Sequence, residues 1–137
     1  GVQGFEMYIA EDMSLKDRGE DQRRTNCALM FHELAIKKGS TDVEKIVADM
    51  LYTHKQQEAH RLAGDLASQM VKSVKVKNRG VKRSRFFVVR NTLVPAVLVE
   101  VGFLTNPKEV KQLNESAYRQ KIAQALAEGV ADYVKAR

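Results

Sequence analysis

Cysteine is nearly missing from the 137-residue chain, where Cys27 stands alone. It cannot form an internal disulfide, and without neighbouring cysteines it cannot build a thiolate metal site. Followed by Ala28, Leu29 and Met30 in a helical pattern, it is expected to behave as a small hydrophobe. Long apolar runs are missing too, since nothing approaches the roughly 20 residues of a membrane-spanning helix. The opening residues, GVQGFEMYIAEDMS, lack the basic segment and apolar stretch of a signal peptide. Any export signal is therefore expected upstream of Gly1 or already removed. The chain also has no Gly-rich phosphate loop, no G-x-S-x-G and no Cys-x-x-Cys.

Acidic residues are missing from one long stretch. None occurs between Asp65 and Glu100, where Lys72, Lys75, Lys77, Arg79, Lys82, Arg83, Arg85 and Arg90 all fall. These cations exceed the net charge of +6, so the rest of the chain is slightly acidic. Such a block can attract an anionic polymer. It lacks the interleaved aromatics of a base-stacking surface, because Phe86 and Phe87 sit together in a strand-like segment. A solvated helix end and loop is the expectation, with no nucleic-acid partner.

What is present has the 44% hydrophobic share and mixed charges of a globular protein, at the length of one compact domain. The segment from Gly4 to Ile9 has the β-branched and aromatic content of a strand. Residues 11–19 suit a loop, and residues 20–37 carry a broad apolar helical face that includes His32. Thr41-Asp-Val-Glu44 forms a capping box that opens a helix through Val43, Ile46, Val47, Met50 and Leu51. The helical period resumes from Glu58 to Val74. The polar THKQQEA between the two runs leaves one long helix or two helices open. Asn78-Arg-Gly80 is a turn signal, and residues 86–89 and 96–101 are strand-like. The second of these is apolar almost without alternation, as a central strand covered on both faces requires. Asn106, Pro107 and Glu109 predict a helix start with a cap, a first-position proline and a capping-box carboxylate. A last helix from about Ser116 places Tyr118, Ile122, Ala125, Leu126, Val130, Tyr133 and Val134 on one stripe. The fold class predicted is α/β, a mixed sheet flanked by amphipathic helices.

Glu100 stands out chemically. It closes the most apolar strand of the chain, within VLVEVGF. A buried carboxylate there needs a partner or a metal, and burial would lift its pKa toward proton-transfer use at neutral pH. Two readings remain open on pattern alone: a catalytic carboxylate at a strand end, or an ion pair with a cation such as Arg90. His54 and His60 are six apart, on different sides of a helix, whereas helical zinc pairs are four apart. Glu6 alternates outward from Phe5 and Met7, has no evident partner in the sequence, and is given no role.

At residues 95–106, PAVLVEVGFLTN resembles the signature near the end of the zinc-dependent N-acetylmuramoyl-L-alanine amidases. Gly4-Phe-Glu-Met-Tyr8 resembles the strand that follows that family's last zinc histidine. Asn78 to Lys82, Phe87 to Arg90 and Asn106 to Glu109 extend the likeness outward. Residues 11–40 resemble the family least and are where a regulatory insertion would sit.

The resemblance implies a peptidoglycan hydrolase of the periplasm or extracellular cell envelope, with Glu100 as its catalytic carboxylate. Peptidoglycan is the implied partner, together with a possible activator protein. The implied cofactor is zinc, held by two histidines and a glutamate. The family's Gly-His-Gly motif, downstream glutamate and Ser-Ile-His stretch do not occur here. Residues 1–137 are therefore expected to be the C-terminal portion of a single amidase catalytic domain, with the zinc ligands upstream. The alternative is an inactive amidase-like module that binds cell wall or a regulatory partner.

The 137-residue chain by itself is expected to hold no stoichiometric zinc. Elemental analysis that finds about one tightly held zinc per chain, lost on replacing His54 or His60, would overturn this reading of the ligands.

Overall fold

The computed structural model describes residues 1–11, 41–90, 92 and 94–136. Its elements in chain order are β1 (Phe5–Ala10), α1 (Thr41–Val74), β2 (Asn78–Ser84), α2 (Phe87–Arg90), β3 (Leu98–Glu100), α3 (Pro107–Asn114) and α4 (Ser116–Lys135). The three strands form one mixed sheet in the order β2-β1-β3, with β2 parallel and β3 antiparallel to β1. The expected helix at 20–37, and with it Cys27 and His32, lies outside the described residues.

Strand β1 is the centre. Phe5, Met7 and Ile9 alternate onto one face, where each is fully buried. Val81 from β2 and Val97, Val99 and Val101 around β3 pack on the same core. Ala59, Ala63, Leu66, Ala67 and Met70 of α1 and Ile122 and Ala125 of α4 complete it. Those α1 positions follow the spacing that keeps one stripe on one side of a helix.

Helix α1 is one continuous element of 34 residues, which settles the alternative left open by THKQQEA. The polar stretch is a contact and not a break, because Lys55, Gln56 and Glu58 are buried and each hydrogen-bonds to another element. Gln56 Nε2 donates to the Ala10 carbonyl at 2.8 Å, and Lys55 Nζ to the Val89 carbonyl at 3.3 Å. Burial holds the Lys55 ammonium below its ordinary pKa. Glu58 Oε2 accepts from the Tyr133 hydroxyl of α4 at 2.7 Å.

The turn signal Asn78-Arg-Gly80 serves a different purpose from the one expected. Residues 78–84 are a strand, and the glycine forms a bulge in it. Phe5 pairs with Asn78 but Met7 pairs with Val81, so β2 carries one extra residue there. Gly80 has a φ of 92°, the left-handed region that a bulge glycine supplies without strain. Asn78 Oδ1 accepts from the Gly80 amide at 2.8 Å and closes the local turn.

Two strand expectations also change. Residues 87–90 form a short helical turn, because only Val89 of this apolar run is buried while Phe87 and Val88 stay exposed. The run 96–101 is not central in the described sheet. Only Leu98–Glu100 pair, at an edge of the described sheet, and they are partly to fully exposed. Its valines alternate onto the core, a period that the interleaved apolar Leu98 conceals in the sequence.

Helix α4 packs against α1 at a close approach that the apolar stripe does not reveal. Its buried positions are Ile122, Ala125, Gly129 and Tyr133, whereas Val130 and Val134, expected on the stripe, are exposed. A Cβ on Gly129 would sit 2.7 Å from Leu66 Cα and 3.0 Å from its backbone nitrogen. Backbone cannot rotate away as a side chain can. Gly129→Ala should therefore destabilise the fold by about 1–3 kcal/mol, outweighing the helix-propensity gain of about 1 kcal/mol. Gly64→Ala, in α1 with nothing within 4 Å of its added Cβ, should instead stabilise by about 0.5–1 kcal/mol. Chemical denaturation of the two variants checks the opposite signs. Equal effects would mean that the interhelical contact does not set the cost.

Candidate active site

The second face of the sheet is polar. Along β1, Glu6 and Tyr8 alternate away from the core, and the register sets Glu6 opposite Glu100 of β3 and Tyr8 opposite Leu98. Directly opposed residues of an antiparallel pair have Cβ atoms about 5 Å apart. Glu6 and Glu100 are thus near neighbours on one face.

Glu6 has partners, contrary to the expectation that it had none. Its carboxylate is only 3% exposed, and Oε1 accepts from Arg79 Nε at 2.5 Å and from Lys82 Nζ at 2.6 Å. The Tyr8 hydroxyl donates to Oε2. The bulge makes this possible. Residues 79 and 82 are three apart, so an unbroken strand would point them to opposite faces. The extra residue at Gly80 restores Val81 to the core and leaves both cations beside Glu6.

The charge consequences are direct. The Arg79 guanidinium, then the Lys82 ammonium and the Tyr8 hydroxyl, pull the Glu6 carboxyl down from 4.5 to about 2. The same carboxylate pushes the Tyr8 hydroxyl above its ordinary pKa, with burial and the Glu100 charge adding to the effect. The cluster lies under side chains that still meet solvent, Arg79 at 29% and Lys82 at 41% exposure, so screening tempers these attractions.

Glu100 itself is exposed, not buried within an apolar strand as expected. The cost of desolvating it is therefore absent, and among the described residues no hydrogen bond reaches its carboxylate. The segment after it is tightly held. Glu109, in the first turn of α3, accepts from the Phe103 amide at 2.7 Å and from the Gly4 amide at 2.6 Å. The capping-box expectation is half met: Asn106 caps α3 by accepting from the Lys108 amide at 3.0 Å. The Glu109 carboxylate is diverted from the cap to join the start of β1 to the loop after β3. Phe103, placed by that bond, lies under the Arg79 guanidinium with its ring centroid 5.5 Å away.

With the strand register, the Val-Glu-Val-Gly-Phe stretch and the polar cluster in view, comparison with known proteins is decisive. The profile of the N-acetylmuramoyl-L-alanine amidase family matches residues 1–132. The chain belongs to this family. AmiA, an N-acetylmuramoyl-L-alanine amidase of Escherichia coli strain K12, is 37% identical over 105 residues, which cover 74% of this chain and 36% of AmiA. The fold is that of an N-acetylmuramoyl-L-alanine amidase from Clostridium difficile 630, at a TM-score of 0.66 and 23% identity over 100% of this chain and 51% of that one. The CwlD amidase from Clostridioides difficile, solved in complex with the GerS lipoprotein, gives a TM-score of 0.64 at 21% identity. That match covers 99% of this chain and 48% of CwlD. The chain thus spans about half the length, or less, of these amidase relatives.

Among the described residues no three His, Cys, Asp or Glu side chains gather to hold a metal. His54 and His60 are both exposed along α1, and Glu6 is already engaged by Arg79, Lys82 and Tyr8. The cationic run divides as the fold dictates. Lys72, Lys75 and Lys77 are exposed around the end of α1, Arg85 pairs with Glu11 at 2.9 Å, and Arg79 and Lys82 turn onto the polar face. The side chain of Arg90, named as a possible partner of Glu100, lies outside the described residues. No helix of the described residues is long and apolar enough to cross a membrane.

The depressed pKa of Glu6 gives a pH dependence. Its ionised form is favoured in the folded state, so its stabilising contribution is present above pH 4.5 and is lost as pH falls toward about 2. Glu6→Gln should be less stable than wild type at neutral pH, and the difference should shrink across that acid window. Denaturation midpoints from pH 6 to 2 measure it, and a difference independent of pH would remove the ion pairs as its cause.

Proposed function

We propose that this chain is part of a peptidoglycan hydrolase of the periplasm or extracellular envelope. The bond cleaved is the amide between N-acetylmuramic acid and the L-alanine of the stem peptide, and Glu100 is the proton carrier. The supporting observation is the contrast between the two opposed carboxylates. Glu6 is buried and bound to two cations, while Glu100 is exposed at the strand end without a hydrogen-bond partner among the described residues. Amide hydrolysis needs a group that takes a proton from the attacking water and returns one to the leaving nitrogen. A carboxylate reachable from solvent on a rigid strand can serve both steps. The Glu109 clamp contributes by fixing the chain direction just past Glu100.

Zinc is the cofactor that family likeness implies. The described residues do not fit it, since they offer no group of three ligands, so its ligands belong in this proposal to the part of the amidase domain that the chain does not span. No step assigned to these residues runs through the metal. A protein partner, expected from the sequence as an activator, fits the same proposal, given that CwlD was solved with a lipoprotein bound.

Glu100→Gln in the full-length protein should lower hydrolysis of purified peptidoglycan by about 10²–10⁴-fold. Because the side chain is exposed, the thermal midpoint should stay near that of wild type. Activity within a few-fold of wild type would remove Glu100 from the chemistry. Absence of activity in the wild-type full-length protein would favour the binding-module alternative.

A further inference from the structure

Glu6 leaves most of its two cations' hydrogen-bonding capacity unused. A guanidinium has five N–H donors and an ammonium three. Arg79 gives Glu6 only its Nε–H, and Lys82 gives one N–H to the same oxygen. Among the described residues no acceptor takes the two Nη groups of Arg79, the edge that can grip a carboxylate with two parallel bonds. The guanidinium is nonetheless held in place, tied to Glu6 through Nε and resting against the Phe103 ring at 5.5 Å. Arg79 and Lys82 remain 29% and 41% exposed, so a ligand can reach both. Two cations against Glu6 alone leave one formal positive charge, which the opposed Glu100 carboxylate offsets, so the unused donors and not net charge carry the recognition.

This cluster lies next to Glu100. Glu6 and Glu100 are directly opposed across β1 and β3, so the cations bound to Glu6 fall within roughly 10 Å of the Glu100 side chain. We infer that Arg79 and Lys82 form an anion subsite beside Glu100 that binds a carboxylate of the substrate's peptide portion. Glu6 is the positioning residue that orients the two cations, and Phe103 is the platform under the guanidinium. The choice of peptide rests on the amidase reading, while the anion specificity rests on the unused donors. Held at this distance, a peptide carboxylate would anchor the chain whose amide lies at Glu100.

The cations are preorganised, and this separates the subsite from an ordinary exposed lysine. Free Lys and Arg side chains lose rotamer freedom when they grip a ligand. Here Glu6 has already ordered both, so less freedom is lost when the ligand arrives. The bulge at Gly80 is again the cause, since it alone brings residues three apart to the same side.

Calorimetric titration of the full-length protein with a stable hydrolysis product separates binding from turnover. The probes are L-alanyl-D-glutamate and its diamide, and wall hydrolysis is measured apart from the titration. Wild type should bind the free acid at least about 10-fold more tightly than the diamide, and rising salt should narrow that ratio. In Lys82→Gln, a mild change at a part-exposed position, the acid-to-diamide ratio should fall toward about 1. Arg79→Lys keeps the charge but loses the two-pronged edge, and should keep only part of the preference. Equal binding of acid and diamide by wild type overturns the subsite, as does a Lys82→Gln variant that retains the full ratio. Loss of wall hydrolysis with the acid preference intact would count against the amidase reading alone and leave the subsite standing.

Discussion

Glu6 is a carboxylate placed on the central strand, where every other feature of the sheet must accommodate it. Strand β1 pairs on both sides, so its side chains have no freedom to avoid either face. Phe5, Met7 and Ile9 take the core face, which commits Glu6 and Tyr8 to the other one. A covered carboxylate without partners costs several kcal/mol, by the usual penalty for an uncompensated charge. Two cations and a hydroxyl must therefore converge on it, and a regular β2 would supply only one cation. The glycine bulge is the backbone's answer to that electrostatic demand.

The other end of β1 depends on a second carboxylate with a different duty. Gly4 enters the strand with a φ of 108°, and a side chain there would meet the Lys77 carbonyl oxygen at 2.2 Å. The Gly4 amide points instead to Glu109, which also takes the amide of Phe103. Asn106 adds a bond from its side-chain nitrogen to the Val2 carbonyl at 3.1 Å. The first turn of α3 thus ties the start of the central strand to the loop that follows Glu100. Negative charge is favoured at this helix end, so Glu109 serves the helix while it serves the loop.

Local features were legible in the sequence because their causes lie close together along it. The Asn106 cap, the first-position Pro107, the strand near residue 5 and the last helix from Ser116 all depend on neighbours within a turn or two. The family likeness was legible at residues 95–106 for the same reason. Glu6 was not legible as a bound group, since its cations lie 73 and 76 residues away and reach it only through a parallel pairing. Gly129 was missed because a glycine adds nothing to an apolar stripe, and its value appears only when the backbone of Leu66 is set against it. The polar middle of α1 left one helix or two open because its acceptors, Ala10 and Val89, belong to other elements.

The two opposed carboxylates then divide their duties by environment. Like charges directly across an antiparallel pair repel, so Glu6 and Glu100 would destabilise β1 and β3 if both stood alone. Arg79 and Lys82 bring the formal charge of the four groups to zero, which offsets that repulsion. Glu6 keeps them engaged. The bound acid thereby leaves the exposed one accessible, and the division follows from one extra residue in β2.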